Sequence, residues 1–150
     1  MGRKERAKFC RLKLKRFLYL ISPNKIKINF YKDLEEVLSS NKVKYFQLRL
    51  KNYSFSSILK IGKKIKKITK KNKVKLIIND SIYIAKKLNS DGCHLGQSDS
   101  SIKKAKIILK KRKIIGVTCH GSKKLILNAI EEKPNYLALG SFFKSKLKPN

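Results

Sequence analysis

Six short apolar runs rich in Leu, Ile and Val punctuate the chain, at residues 17–21, 44–50, 74–78, 92–95, 113–117 and 136–139. Each is too short for a stable helix and is bounded by Gly, Asn, Asp or Ser, which is how strands read. Between them lie longer segments at residues 29–40, 55–71, 81–88, 101–111 and 122–131. There the apolar positions recur at helical spacing and lysines fill the other face. This βα rhythm, repeated roughly every 20 to 30 residues, predicts parallel strands joined by crossover helices. No linker or low-complexity stretch interrupts it. One α/β domain is therefore expected over residues 17–150, behind a basic N-terminal extension at residues 1–16. The pattern fits either an open doubly wound sheet or part of a (β/α)8 barrel. Length alone favours the open sheet, because barrels usually need at least ~200 residues.

Composition narrows the function classes. The 150 residues carry 39 Lys plus Arg against 9 Asp plus Glu, a net charge of +30. Such a balance ordinarily points to nucleic acid. Here, however, the lysines occur on nearly every helical segment, as in Lys63-Lys64, Lys70-Lys71, Lys103-Lys104 and Lys123-Lys124. They read as solvated faces, and the accompanying richness in Ile and Asn suggests compositional drift. No dedicated nucleic-acid partner is expected. A hydrophobic share of 41% argues against wholesale disorder. No apolar run approaches the ~18 residues of a membrane span, so no membrane partner is expected either. The short apolar run after the basic start meets Ser22-Pro23, which is unlike a secretory leader. Cys10, Cys93 and Cys119 are odd in number and widely spaced, so a reducing cytoplasm is the default location.

Candidate chemistry lies at the strand ends, because α/β folds bind ligands beyond the carboxyl ends of their strands. Alternation along residues 45–51 puts Gln47, Arg49 and Lys51 on one face and Leu48 and Leu50 on the other. An amide, a guanidinium and an ammonium together suit a phosphate-bearing ligand. Acids are scarce, yet Asp80 and Asp99 both fall just past strand ends. They read either as one Mg²⁺ site shared with phosphate oxygens or as two separate helix caps. His94 lies within a strand, and His120 follows one with Thr118 and Cys119. Neither histidine builds a nucleophilic triad. Cys93 and Cys119 read as small buried hydrophobes. Gly140, Ser141 and Ser145, with Lys144, Lys146 and Lys148, form a loop suited to phosphate.

At these residues the chain resembles the thiamine phosphate synthase/TenI family of (β/α)8 barrels. Gln47-Leu48-Arg49-Leu50-Lys51 is similar to the family's QLRxK strand, and Ile77-Ile78-Asn79-Asp80 to its IIND segment. Residues 91–99 resemble its DGxHLGQxD block, Gly116-Val117-Thr118-Cys119-His120 its GxSxH, and Leu139-Gly140 its sixth strand end. The resemblance implies a barrel rather than an open sheet. It also implies a transferase that joins hydroxymethylpyrimidine diphosphate to thiazole phosphate, giving thiamine phosphate and diphosphate with Mg²⁺ as cofactor. By position, the segment Gln47, Leu48, Arg49, Leu50 and Lys51 would bind the pyrimidine diphosphate together with Asn79. Asp80 and Asp99 would hold Mg²⁺, Thr118 would replace a substrate-binding Ser, Lys148 would meet the diphosphate, and Ser145 would meet the thiazole phosphate. No protein nucleophile is implied.

The departures from the family pattern are Leu50 for the usual Glu and Leu147 for a hydroxyl residue in the loop before Lys148. About six βα units are expected. The last two units of a barrel would then come from a further segment or be replaced by self-association. Two other readings share these residues: a TenI-like thiazole isomerase or regulator, and a non-catalytic basic remnant.

Overall fold

The computed structural model describes residues 17–110 and 112–140. Eleven elements alternate: β1 (Leu18–Ile21), α1 (Phe30–Ser39), β2 (Val43–Leu48), α2 (Phe55–Lys71), β3 (Lys75–Asn79), α3 (Ile82–Leu88), β4 (Gly92–Leu95), α4 (Ile102–Leu109), β5 (Ile114–His120), α5 (Lys123–Glu131) and β6 (Tyr136–Leu139). Serines start four of the five helices. Ser54, Ser81, Ser101 and Ser122 each accept a hydrogen bond from the amide three residues on. Each such cap contributes roughly 1 kcal/mol.

All six strands are parallel and lie in chain order, β1-β2-β3-β4-β5-β6. A doubly wound sheet reverses its strand order at a switch point, and this sheet never does. The open sheet favoured by length alone is therefore not what forms. Neighbouring helices also pack in sequence, α1 on α2, α2 on α3 and α3 on α4. The crossovers thus return on one side, and the sheet curls. The curl is strong enough that the Oη atoms of Tyr19 on β1 and Tyr136 on β6 come within 2.6 Å. The product, among the described residues, is a half-barrel of six parallel strands and the five helices between them.

Alternation sorts each strand between two environments. Phe46 and Leu48, Leu76 and Ile78, Cys93 and Leu95, Ile115 and Val117 face outward into a core shared with the helices, including Leu38, Ile65 and Leu88. The inner face is more polar. It carries Tyr19, Gln47, Asn79, His94, Thr118 and Tyr136, which hydrogen-bond to one another. Residues 1–16 and the Ser145–Lys148 loop lie outside the described residues.

Candidate active site at the carboxyl end of the strands

A hydrogen-bonded chain crosses the inner face. Tyr19 Oη donates to Gln47 Oε1 at 3.1 Å and therefore receives from Tyr136 Oη at 2.6 Å. With its proton used, Tyr136 receives from His94 Nδ1 at 3.0 Å. This fixes the histidine tautomer with its proton on Nδ1, leaving Nε2 to accept from Thr118 Oγ1 at 2.8 Å. At the other end Gln47 Nε2 donates to Asn79 Oδ1. Gln47 and His94 are only 4% and 8% exposed, so both must find partners inside, and both do. Burial pushes the Tyr19 phenol up to about 12 and Tyr136 higher still.

Gly116 makes room for this chain. It sits between His94 and Tyr136 in the register. A Cβ there would be driven into the Tyr136 ring. Without one, the histidine and tyrosine rings stack at 5.6 Å with 23° between their planes.

Past the strand ends the charges gather. β2 ends at Leu48, so Arg49, Leu50 and Lys51 continue the alternation outside the ladder; the strand-borne arginine read from the sequence is a loop residue. Arg49 Nη1 donates to Asn24 Oδ1 at 3.2 Å, and its backbone is tied to Ser22. The Leu48 and Leu50 side chains are buried in the hydrophobic core. Facing away from the inner side, they leave a ligand only their backbone.

Asp80 follows β3 with φ of +64°, a conformation that Asp tolerates better than most residues. Its amide donates to the His94 carbonyl at 2.8 Å, which locks the turn onto β4. Asp99 follows β4, and its Oδ2 accepts from the Gly96 amide at 2.6 Å. Neither is the helix cap considered for it, because Ser81 and Ser101 hold those positions. The two carboxyls instead meet each other. Burial first, then repulsion from Asp99 and a hydrogen bond with it, raise the Asp80 pKa, against weaker relief from Lys51 and Arg49. Two adjacent carboxylates with a desolvated member suit a divalent cation completed by waters and phosphate oxygens. Among the described residues no group of three or more His, Cys, Asp or Glu comes together, so phosphate would have to supply the remaining ligands.

Thr118 and Asn79 belong to the inner chain, and Gln97 donates to the Thr118 carbonyl. His120 is exposed at the end of β5, and Cys93 and Cys119 are buried free thiols. Tyr19 and Tyr136 are absent from the residues singled out in the sequence, and Gly116 is there only as part of the GxSxH-like segment. Alternation within β1 and β6 assigns both tyrosines to the inner face, and that was the available signal.

A curled parallel sheet with its polar groups and paired carboxylates at the carboxyl end defines a βα-barrel domain. The family described as thiamine monophosphate synthase matches residues 18–150, and the chain belongs to that family. It is 59% identical over 135 residues to a thiamine-phosphate synthase of Pelagibacter ubique, covering 89% of this chain and 65% of that protein. It is 39% identical to one from Erythrobacter litoralis, covering 87% of this chain and 62% of that protein. Among solved structures, a thiamine phosphate pyrophosphorylase from Pyrococcus furiosus superposes with a TM-score of 0.75 at 28% identity, over 86% of this chain and 62% of that one. The chain thus spans just under two thirds of the length of these relatives.

Proposed function

We propose that the chain carries a Mg²⁺-dependent thiamine phosphate synthase site, acting in the cytoplasm. In that reaction the carbon–oxygen bond of hydroxymethylpyrimidine diphosphate breaks, diphosphate leaves, and the pyrimidine methylene passes to thiazole phosphate. The observation that carries the reading is the Asp80–Asp99 pair, set between the inner polar chain and the Arg49/Lys51 loop. A cation bound by these carboxylates supplies charge neutralisation for the departing diphosphate.

Arg49 offers a planar fork and Lys51 a mobile ammonium to the same oxygens. Inside, Gln47, Asn79, His94 and Thr118 present neutral donors and acceptors beside two phenol rings, which suits an uncharged aminopyrimidine. The buried network excludes water from the carbon losing its leaving group. No nucleophilic side chain is required, because the electron-rich pyrimidine stabilises the cation left behind. The assignments of Ser145 to the thiazole phosphate and Lys148 to the diphosphate complete the reading. The two thiols stay reduced in that compartment.

The test is direct. The chain is mixed with both substrates and MgCl₂, and thiamine phosphate and diphosphate are followed together, with and without chelator. Equimolar release of the two products, abolished by chelator, is expected. Binding of neither substrate by titration calorimetry would overturn the proposal.

A further inference from the structure

Beside the carboxylate pair lies a cavity of about 540 Å³ lined by Asp80, Tyr83, Ser98, Asp99, Ser100 and Lys104 among others. Its volume falls in the usual range for a small-ligand site. Lys104 is the one base among its lining residues, and its position is specified twice. Its amide donates to Ser101 Oγ at 3.2 Å in the first turn of α4. Its Nζ stands 5.8 Å over the Tyr83 ring on α3, within reach of a cation–π attraction.

The lysine lines the same cavity as two carboxylates without forming an ion pair with either. The ion pairs among the described residues are Lys71–Glu35 and Lys75–Asp91. Arg49 and Lys51 approach Asp80 from the loop after β2, whereas Lys104 comes from α4, on the opposite flank. Once a divalent cation neutralises the carboxylates, a bound diphosphate still carries excess negative charge. The side facing α4 then has Lys104 as its cation.

We infer that Lys104, parked on the Tyr83 ring, is a further diphosphate-binding residue that closes the anion from the side opposite Arg49 and Lys51. This rests on the proposed function and adds to it a specificity element on the outer helices. The aromatic perch holds the ammonium near the anion at low entropic cost and gives it somewhere to return when the site is empty.

The test is calorimetric titration of inorganic diphosphate into the full chain in excess MgCl₂, comparing wild type, Lys104→Gln, Lys104→Arg and Lys103→Gln. Lys103 is the control, because it lies one residue away but lines a separate cavity with Glu132 and Lys106. Lys104→Gln should weaken binding by about five- to tenfold, as for loss of one charge-assisted contact. Lys104→Arg and Lys103→Gln should stay within about twofold. Both lysines are exposed, so melting midpoints should be unchanged and the comparison is unaffected by folding. Equal affinities for Lys104→Gln and Lys103→Gln would overturn this inference while leaving the proposed function standing. No binding by the wild-type chain would overturn both.

Discussion

The two ends of the half-barrel treat the same kind of residue in opposite ways. At the amino end of the strands, Asp91 is fully engaged: its Oδ1 accepts from Lys75 Nζ at 3.0 Å and its Oδ2 from the Leu76 amide at 2.9 Å. Around it Lys113 donates to Asn89 Oδ1, and Asn135 Oδ1 accepts from the Ile115 amide. At the carboxyl end, Asp80 and Asp99 face one another, and Asp80 is held less willing to ionise than an ordinary aspartate. The amino end spends its carboxylate on closing the fold. The carboxyl end keeps an unfavourable charge pair that a bound cation would relieve. Barrel architectures divide stability and chemistry between their ends in this way.

Exchanging one aspartate at each end should break the comparison most visibly. Asp80→Asn keeps the left-handed turn, since Asn also tolerates positive φ, but it removes half of the cation site. Product formation should fall by about 100-fold or more if that carboxylate holds Mg²⁺ against the departing diphosphate, with no loss of stability. Asp91→Asn should do the reverse, costing ~1–2 kcal/mol of stability through the lost charge-assisted bonds. Its kcat should be nearly unchanged. Urea unfolding and an activity assay on each variant decide the matter. Equal stability losses at both ends would erase the distinction.

Gly116→Ala tests how tightly the inner face is fitted to the carboxyl-end site. The added methyl meets the Tyr136 ring, and the ring cannot retreat without breaking its bonds to His94 and Tyr19. A destabilisation of ~1–3 kcal/mol is expected from such overpacking, together with weaker pyrimidine binding. Near-UV circular dichroism should show the tyrosine environment change. An unaltered tyrosine spectrum would mean the rings do not depend on the glycine.

These contrasts also mark what could be read from the chain. The strands and helices were legible almost residue by residue, because local alternation and serine caps define them within each unit. The aspartates were legible through scarcity: in so basic a chain, an acid after a strand stands out. Three things were not legible. The end of β2 was hidden because Arg49 and Lys51 continue the alternation past the last ladder bond, and alternation alone does not report pairing. The meeting of Tyr19 with Tyr136 depends on how far the sheet curls, a property of the whole sheet rather than of either strand. The role of Gly116 follows from that meeting and was hidden with it.

The curl has its own test at high pH. In the folded chain burial pushes the Tyr19 phenol from its ordinary value near 10 up to about 12, and Tyr136 higher still. Because the folded pKa is raised, the stabilising effect of this pair is fully present below pH ~10. It is lost as pH rises through the folded value. Ultraviolet titration should show two of the six tyrosines remaining protonated past pH 11, then ionising together with unfolding. Six freely titrating phenols would mean that β1 and β6 do not meet in solution.

The smallest expected effect is the cost of the carboxylate pair itself. Asp80 has a raised pKa when folded, so between its unfolded and folded values the native state binds more protons than the unfolded state. Stability from this group must then fall as pH rises through that window and recover on acidification. The unfavourable contribution is present on the alkaline side of that window. Since Asp80 is only partly buried, solvent screening keeps it to a fraction of ~1 kcal/mol. Asp80→Asn should therefore be slightly more stable than wild type at pH 7 without divalent cation. The difference should shrink at pH 4 and invert when MgCl₂ is added to the wild type. Melting curves of both proteins at pH 4 and pH 7, with and without the salt, give all the comparisons needed. A wild type more stable than Asp80→Asn at pH 7 in the absence of cation would place Asp80 with Asp91, among the residues that close the fold.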